Sequence, residues 1–353
     1  MRLRSLLGRI GGVTEFISGI FAQLRHQFAL DFNATSSMTK TFAPSSSADS
    51  APCVGRVVAS HGRHLMVESE DGKITLCHAR GKRNEAVVGD WVNWTPSTDE
   101  GVIESIAPRT SLLYRQDELR SKLFAANIDL AVIFLAVEPE YSDMQLARSL
   151  IATQAAGIKA MIVLNKCDLE GHAQAMTRLK PYVDMGIETL FLSLRDEAAY
   201  ASGFARLSEH LRSCRSLILG PSGAGKSTLI NRLLPHIEAR TQEISQALKS
   251  GKHTTTTATW YWLDAQRQGA IIDSPGFQEF GLHHLEAEDL AGYMPDLARH
   301  LGSCRFYNCQ HLHEPGCGVR AHVGSGQADQ IDAKRYAIYE SLHQELQSAK
   351  QRW

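Results

Sequence analysis

The sequence predicts a multidomain protein in which a small β-barrel precedes an α/β domain with a mostly parallel sheet, and a helical domain follows. Three observations lead to this prediction. Short β-type segments fill residues 53–109, apolar strand and helix patterns alternate from residue 128, and a Cys/His cluster interrupts the helical segment after Pro275. A change from strands alone to alternating strands and helices indicates a change of fold class between domains.

Composition sets the outer limits on function. The chain has 353 residues, which is enough for two or three domains, and 43% hydrophobic with 21% charged residues is typical of a soluble globular protein. A net charge of −1 argues against bulk electrostatic binding to nucleic acid, and no apolar run approaches the ~20 residues that span a bilayer. Three of the seven cysteines cluster with histidines, which favours a reducing cytoplasm and a metal site over a disulfide framework.

The first 52 residues are predicted to form a disordered extension outside the fold. Their start carries Arg and few acids, as a transit peptide or membrane-surface helix does, and Ser, Thr and Ala dominate residues 34–51. The alternative is that translation begins at Met38 and that the first 37 residues are absent from the protein.

Residues 53–110 are predicted to form a barrel of the oligonucleotide-binding (OB) type. Asp71-Gly72 marks a hairpin between two of its five predicted strands, which span residues 54–58, 64–68, 73–76, 87–92 and 101–106. A barrel used only as a docking module fits the same pattern. Any RNA-binding face must be local, and the visible basic cluster is His78, Arg80, Lys82 and Arg83.

Residues 111–282 are predicted to form the α/β domain. Its strands are expected at residues 128–137, 158–164, 187–193, 216–219, 260–263 and 270–273, and two of its helices at 144–156 and 228–234. Such alternation places the binding loops at the carboxyl ends of parallel strands.

A phosphate-binding loop follows the strand at 216–219 and opens the helix after it. Its residues match G-x-x-x-x-G-K-[ST] and run on to Thr228: Gly220, Pro221, Ser222, Gly223, Ala224, Gly225, Lys226, Ser227 and Thr228. The glycines let backbone N–H groups surround phosphates at a helix N-terminus. Lys226 is expected at the β- and γ-phosphates and the Ser227 hydroxyl on Mg²⁺. The alternative is a Gly-rich turn that caps a helix.

The guanine-recognition sequence N-K-x-D is present as Asn165, Lys166, Cys167 and Asp168. The Asp168 carboxylate can accept from guanine N1–H and the exocyclic amine, a donor pair that adenine lacks. Asn165 is expected to hold the loop and the Lys166 stem to cover the base, while the segment Ser193-Leu194 is a candidate for a backbone contact to guanine O6. N-K-x-D precedes the phosphate loop, the reverse of the usual GTPase order, so the domain is predicted to be circularly permuted.

Two segments after the phosphate loop are expected to sense the γ-phosphate. Asp273 and Gly276 form a D-x-x-G sequence, and a threonine of the run 254–257, with Thr255 or Thr256 preferred, is expected on Mg²⁺. Phe277 stands where Ras-like enzymes carry the water-orienting Gln. His253 is therefore a candidate catalytic group, with a plain loop histidine or an RNA contact as the alternative.

Cys304, Cys309, His311 and Cys317 provide three thiolates and an imidazole within fourteen residues. That set suits one tetrahedral structural zinc, which would stabilise a helical domain over residues 283–353. His313 is the alternative to His311.

On these motifs the chain resembles the small-ribosomal-subunit-dependent GTPases, the circularly permuted GTPases of bacterial ribosome assembly, from about Cys53 to its C-terminus. The resemblance implies a cytoplasmic late-maturation factor that binds the 30S subunit and 16S rRNA and hydrolyses GTP to GDP with stimulation by the subunit. We expect a monomer that does not bind membranes. The competing hypotheses are a nucleotide-gated RNA-binding module with little turnover and a P-loop ATPase or kinase.

Overall fold

A computed structural model describes residues 53–61, 63–81, 85–97, 100–116, 121–235, 258–274 and 280–350. The predicted extension over residues 1–52, and Lys82 and Arg83 of the basic cluster, lie outside these residues. In the described part of the chain, no helix is both long and apolar enough to cross a membrane.

Five strands close the predicted barrel: β1 (Cys53–His61), β2 (His64–Ser69), β3 (Ile74–Ala79), β4 (Trp91–Thr95) and β5 (Gly101–Ile106). The strand order is β1-β2-β3-β5-β4, and β4 pairs back with β1. The β3–β5 pair is parallel and the other pairs are antiparallel. Along β4, Val92 and Trp94 point into the barrel core while Trp91 and Asn93 face outward, the alternation expected of a barrel strand.

The strand predicted over residues 87–92 was wrong in position, because β4 begins only at Trp91. Gly89 has φ 94°, and a Cβ there would lie 2.1 Å from the Ala126 carbonyl oxygen, so the backbone turns before β4. The Asp90 carboxylate stabilises this turn by accepting from Val87 N–H at 2.8 Å and from the Arg109 guanidinium.

A hairpin that the sequence patterns do not predict joins the barrel to the α/β domain. It consists of β6 (Leu112–Gln116) and β7 (Ser121–Ala126), which form a separate two-stranded sheet. Asn127 follows it in the left-handed region at φ 58°, where its side chain donates to Gly89 O and accepts from Thr110 N–H. The hairpin is thus attached to the turn that precedes β4.

The central sheet contains β8 (Leu130–Ala136), β9 (Lys159–Asn165), β10 (Glu188–Phe191), β11 (Arg215–Leu219), β12 (Thr259–Trp262) and β13 (Ala270–Asp273). Their order is β10-β9-β8-β11-β13-β12, parallel except for β12. Four helices accompany them: α1 (Asp143–Ala155), α2 (His172–Asp184), α3 (Glu197–Arg212) and α4 (Lys226–Leu233). The mostly parallel sheet is confirmed. It continues into the barrel because β12 pairs with β1 at Thr259 and Ala59.

The C-terminal segment is built from short helices and one long one. In chain order it contains a 3₁₀ helix at Ala287–Tyr293, α5 (Pro295–Ala298), a second 3₁₀ helix at Leu301–Ser303, α6 (Gly318–Ala321) and α7 (Ala333–Lys350). Leu342 and Leu346 of α7 belong to the same apolar cluster as Ile151 of α1. Arg335 of α7 forms a buried ion pair with Asp296. The helical segment therefore packs directly on the α/β core.

Candidate functional site

The phosphate loop has the backbone conformation that its glycines predict. Gly220, Gly223 and Gly225 have φ values of 153°, 81° and 103°. A Cβ on Gly220 would lie 1.9 Å from Phe134 O, and one on Gly225 would lie 2.5 Å from Asn165 Nδ2. Glycine is required at both positions because larger residues would collide with β8 or with the guanine-recognition loop.

Lys226 begins α4 and Asp273 ends β13, and the charges of the two side chains interact. The Lys226 ammonium is buried and donates to the carbonyls of Gly220 at 2.6 Å and Pro221 at 2.9 Å. Burial lowers the pKa of Lys226, and burial raises the pKa of Asp273 to about 6 even though the Lys226 charge opposes that rise. Both charges are therefore held away from water where phosphates and a cation are expected. Ser227 and Thr228 are exposed on the first turn of α4.

Asn165 connects the three loops at this edge of the sheet. It ends β9, is 2% exposed, donates from Nδ2 to Ala224 O at 2.8 Å, and accepts from Leu194 N–H at 3.1 Å. One buried amide therefore ties the guanine-recognition loop to the phosphate loop and to the loop after β10.

A cavity of about 320 Å³ lies beside Asn165. Its lining combines residues of the two predicted motifs with the loop after β10: Asn165, Lys166, Asp168, Leu169, Ser193, Leu194, Arg195, Gly225 and Thr228. This volume falls in the range of about 300–1,000 Å³ typical of small-molecule sites. The cavity lies at the carboxyl ends of the parallel strands, where the fold class predicts a binding site.

The Asp168 carboxylate is positioned by a serine for which the sequence suggests a different role. The Ser193 hydroxyl donates to Asp168 Oδ1 at 2.5 Å and accepts from the N–H groups of Arg195 and Asp196. The segment Ser193-Leu194 was expected to contact the base through its backbone. The Leu194 N–H instead donates to the Asn165 side chain. A serine at a strand end gives no sequence signal for orienting a carboxylate, because that role depends on which loops meet.

Lys166 and Cys167 take different positions around the cavity. Lys166 has φ 63° and donates from Nζ to Glu138 O at 2.6 Å, so its stem lies along the cavity wall. Cys167 is 2% exposed, and burial raises the pKa of its thiol to about 11. Its side chain therefore belongs to the core, and only its backbone is near the site.

Several predicted residues lie outside the described part of the chain. They are the catalytic candidate His253, the Mg²⁺ candidates Thr255 and Thr256, and Gly276 of the D-x-x-G sequence. Ser274, within the same D-x-x-G sequence, donates from Oγ to Ile218 O at 2.9 Å, which fastens the end of β13 to β11.

The four predicted metal ligands come together. One ligand atom from each of Cys304, Cys309, His311 and Cys317 lies within 4.8 Å of all the others. His311 Nδ1 is 3.4 Å from Cys304 Sγ and 3.5 Å from Cys317 Sγ. Three thiols and an imidazole at these separations fit a tetrahedral metal with no open position.

The loop that carries these ligands is stabilised from outside the cluster. Glu314 accepts from Gln310 N–H at 2.8 Å and Leu312 N–H at 3.0 Å, and although burial opposes ionisation, these backbone donors lower its pKa to about 2. The Tyr336 hydroxyl of α7 donates to His311 O at 2.7 Å. His313, the alternative ligand, is exposed and is not part of the cluster.

Comparison with known proteins finds similarity to one family of GTPases. Residues 106–283 match the family model described as RsgA GTPase. The chain is 55% identical over 300 residues to the Small ribosomal subunit biogenesis GTPase RsgA of Variovorax paradoxus (strain S110), covering 84% of this chain and 93% of that protein. It is 48% identical over 298 residues to the protein of the same name from Bordetella pertussis, covering 84% and 97%.

Two solved structures are similar in fold. The crystal structure of YjeQ from Thermotoga maritima matches with a TM-score of 0.62 and 29% identity, over 84% of this chain and 99% of that one. YloQ, described as a circularly permuted GTPase, matches with a TM-score of 0.60 and 24% identity, over 86% and 98%.

Proposed function

Because this chain belongs to the RsgA GTPase family, we propose that it is a GTP hydrolase of small ribosomal subunit biogenesis whose nucleotide lies between the phosphate loop and the guanine-recognition loop. The observation that carries this proposal is the Asn165 side chain, which joins the guanine-recognition loop to the phosphate loop through Ala224 and to the loop after β10 through Leu194. The competing ATPase or kinase hypothesis gives no reason for that connection.

In the proposed site, guanine occupies the cavity beside Asp168 and the phosphates occupy the loop from Gly220 to Ser227. The Asp168 carboxylate accepts from the two guanine donors, and the Ser193 hydroxyl keeps it oriented. Lys226 exchanges its two carbonyl partners for phosphate oxygens. Its burial makes that exchange favourable, because a desolvated cation gains more from a phosphate than an exposed one does.

The residues present also fit a magnesium ion bound together with GTP. Ser227 is exposed at the start of α4, and Asp273 ends β13 with its charge interacting with that of Lys226. Ser227, with Thr255 as a proposed second ligand, would hold the ion, while Asp273 would hold its water shell. Such an ion neutralises charge on the β- and γ-phosphates.

Hydrolysis in this proposal is slow in the free protein and is stimulated by the 30S subunit. Phe277 occupies the position of the water-orienting Gln, so the chain itself supplies at most His253 for that role. Gly276 is proposed to sense the γ-phosphate and Thr255 to order with GTP.

We propose one zinc ion per chain at Cys304, Cys309, His311 and Cys317. The approach of all four ligand atoms to within 4.8 Å supports this set. A filled Cys₃His shell would be structural, so it would stabilise the helical segment and take no part in hydrolysis.

The proposed partners are the 30S subunit through its 16S rRNA, bound by a monomer in the cytoplasm. The proposed domains are a barrel domain at residues 53–110, the GTPase domain at residues 111–282 and the zinc-binding domain at residues 283–353. The barrel and the helical segment lie at opposite chain ends of the GTPase core, so GTP binding could set their spacing on the subunit.

Two measurements test this function. Displacement of labelled GDP should be efficient with GTP and negligible with ATP, and equal displacement by both would eliminate the guanine site. GTP hydrolysis should rise on addition of purified 30S subunits. If nucleotide specificity holds and hydrolysis stays unchanged, the chain is a nucleotide-gated binding module and not a subunit-activated GTPase.

A further inference from the structure

A second cavity, of about 510 Å³, lies where the barrel meets the central sheet. Asp129, Arg215 and Gln268 place it at the amino ends of β8, β11 and β13. The guanine cavity is formed by residues such as Asn165 at the carboxyl ends of the parallel strands. The two cavities are thus at opposite ends of the sheet, and the GTP site does not account for this one.

The barrel contributes a row of three residues to the second cavity. Arg56 on β1 lies directly opposite Trp91 on β4 and Glu68 on β2. Trp91 is on the outward face of its strand, so its cross-strand neighbours in the row face outward as well. The strand β12 of the central sheet covers part of this row with Trp260 and Trp262.

Arg56 is held between two indole rings. Its guanidinium carbon lies 4.1 Å from the centroid of Trp91 and 4.3 Å from that of Trp260, and the residue is 4% exposed. Nη1 donates to Gly89 O at 3.1 Å, but Nε has no partner among the described residues. Burial, and then the nearby Arg215 charge, lower the pKa of Arg56 to about 10 against the opposing effect of Glu68. Arg56 is therefore a fixed support beneath Trp91 and not a group that a ligand can reach.

The Trp91 ring ends this stack with an open surface. It is 36% exposed although Arg56 covers one face, so its exposed area lies on the other face and the edges. An exposed tryptophan that is already fixed by stacking is a suitable platform for a planar aromatic group, because little side-chain freedom remains to be lost.

The remaining walls select for a polar but uncharged ligand. Three arginines (Arg56, Arg215 and Arg267) are balanced by three acids (Glu68, Glu70 and Asp129) in the lining. Arg215 is paired with Asp129, with Nε and Oδ2 2.6 Å apart, and Glu68 accepts from the Trp262 indole at 2.8 Å and from Arg267 at 3.2 Å. Such a lining offers no excess charge to a phosphate. It offers an aromatic face and hydrogen-bonding groups, which match a nucleobase.

We propose that this cavity binds one unpaired RNA base, stacked on the open face of Trp91. This inference rests on the proposed function, because a ribosomal subunit supplies single-stranded RNA. A free mononucleotide offers the same base, and the experiment separates the two sources.

The probe is a fluorescein-labelled single-stranded RNA of ten adenosines, titrated by anisotropy in saturating GDP and Mg²⁺ so that the GTP site is filled. Trp91→Leu is expected to weaken binding about 5- to 150-fold, the range for loss of one stacked base. Trp91→Phe keeps an aromatic face and is expected to retain most of the affinity. Asn93→Ala, on the same outward face of β4, is the matched control and is expected to bind like the unaltered protein.

A second measurement locates the base directly. The same RNA with one 5-iodouridine is expected to crosslink to Trp91 under irradiation, with the adduct identified by mass spectrometry, and 5′-AMP in excess is expected to compete only weakly. Equal RNA affinity for Trp91→Leu and the unaltered protein would overturn the proposal. If Trp91 is needed for AMP but not for RNA, the RNA assignment is overturned in favour of a free mononucleotide.

GDP affinity and 30S-stimulated hydrolysis are measured on the same variants. Trp91→Leu is expected to keep normal GDP affinity, which shows that the variant is folded. Failure of the unaltered protein to prefer GDP over ADP would overturn the proposed function, whereas failure of Trp91→Leu to lose RNA affinity overturns only the base site.

Discussion

The Asn165 amide gives the sharpest test of how the nucleotide site is held together. Replacing Asn165 by Ala removes the donor to Ala224 O and the acceptor for Leu194 N–H, which lie 2.8 and 3.1 Å away. The side chain is 2% exposed, so water cannot fully replace these bonds. Each buried group left unpaired costs about 1–3 kcal/mol, so with two such groups Asn165→Ala should lower the free energy of unfolding by about 2–6 kcal/mol.

GDP affinity should fall in the same variant, although the substitution leaves Asp168 and Lys226 in the chain. If each lost bond contributes about 1 kcal/mol net to holding the loops in their binding arrangement, the total of about 2 kcal/mol corresponds to a roughly 30-fold weaker GDP complex. Isothermal titration with Mg²⁺·GDP measures this loss, and urea unfolding followed by circular dichroism measures the stability.

The control is Asn93→Ala, which removes an exposed bond of 2.9 Å to the Ser105 hydroxyl on the barrel. An exposed pair of this kind contributes within about 0.5 kcal/mol, and GDP binding should not change. If Asn165→Ala matches the control in both stability and GDP affinity, then Asn165 does not hold the loops together.

Four further outcomes are expected. Asp168→Asn should weaken GDP binding at least 100-fold and favour xanthine nucleotides, since the carboxylate accepts from two guanine donors; titration with GDP and XDP decides this. Gly225→Ala should reduce GDP affinity far more than Gly186→Ala, because both have positive φ but only the Gly225 Cβ meets another atom, Asn165 Nδ2 at 2.5 Å. Metal analysis should find one zinc in the purified protein and in His313→Ala but none in Cys309→Ala; a zinc-free His313→Ala would shift the ligand assignment. Burial lowers the pKa of His343, so as pH falls below about 6.5 this histidine is protonated in the unfolded chain before it is protonated in the folded protein. The free energy of unfolding should therefore fall as the pH is lowered through that interval, and it should fall less in His343→Leu.

The strand at residues 130–136 could be predicted from the sequence, whereas the hairpin β6–β7 could not. The run 130–136 is apolar throughout and became a fully buried strand, because continuous hydrophobic runs are what parallel sheets require. The hairpin β6–β7 was missed, since residues 112–126 alternate only weakly and its pairing depends on contacts with the turn at Gly89. Local pattern therefore predicts strands that bury both faces better than strands stabilised by distant loops.

The same limit applies to the site. Three motifs have residues that are contiguous or closely spaced, so the sequence alone predicts what they bind: Gly220–Ser227, Asn165–Asp168 and the Cys/His ligands. Ser193 is not, because its contact with Asp168 exists only after β9 and β10 pair in parallel register. Arg56 is likewise hidden: its sandwich needs Trp91 from the barrel and Trp260 from a strand about 200 residues away in the chain.

The attachment of the helical segment gives the permuted order a mechanical consequence. Arg335 of α7 is paired with Asp296, each about 6% exposed, and its guanidinium lies 4.9 Å from the Tyr182 ring on α2. Tyr182 lies in the last turn of α2, so this buried contact attaches the segment to the end of the helix that is far from Asp168. Removing one partner of such a pair costs about 3–5 kcal/mol, so the pair holds α5 and α7 together within the segment. The segment also packs on Ile151 of α1 through Leu342 and Leu346. Any movement transmitted from the γ-phosphate that releases the whole segment would therefore have to break both this apolar contact and the contact of Arg335 with Tyr182.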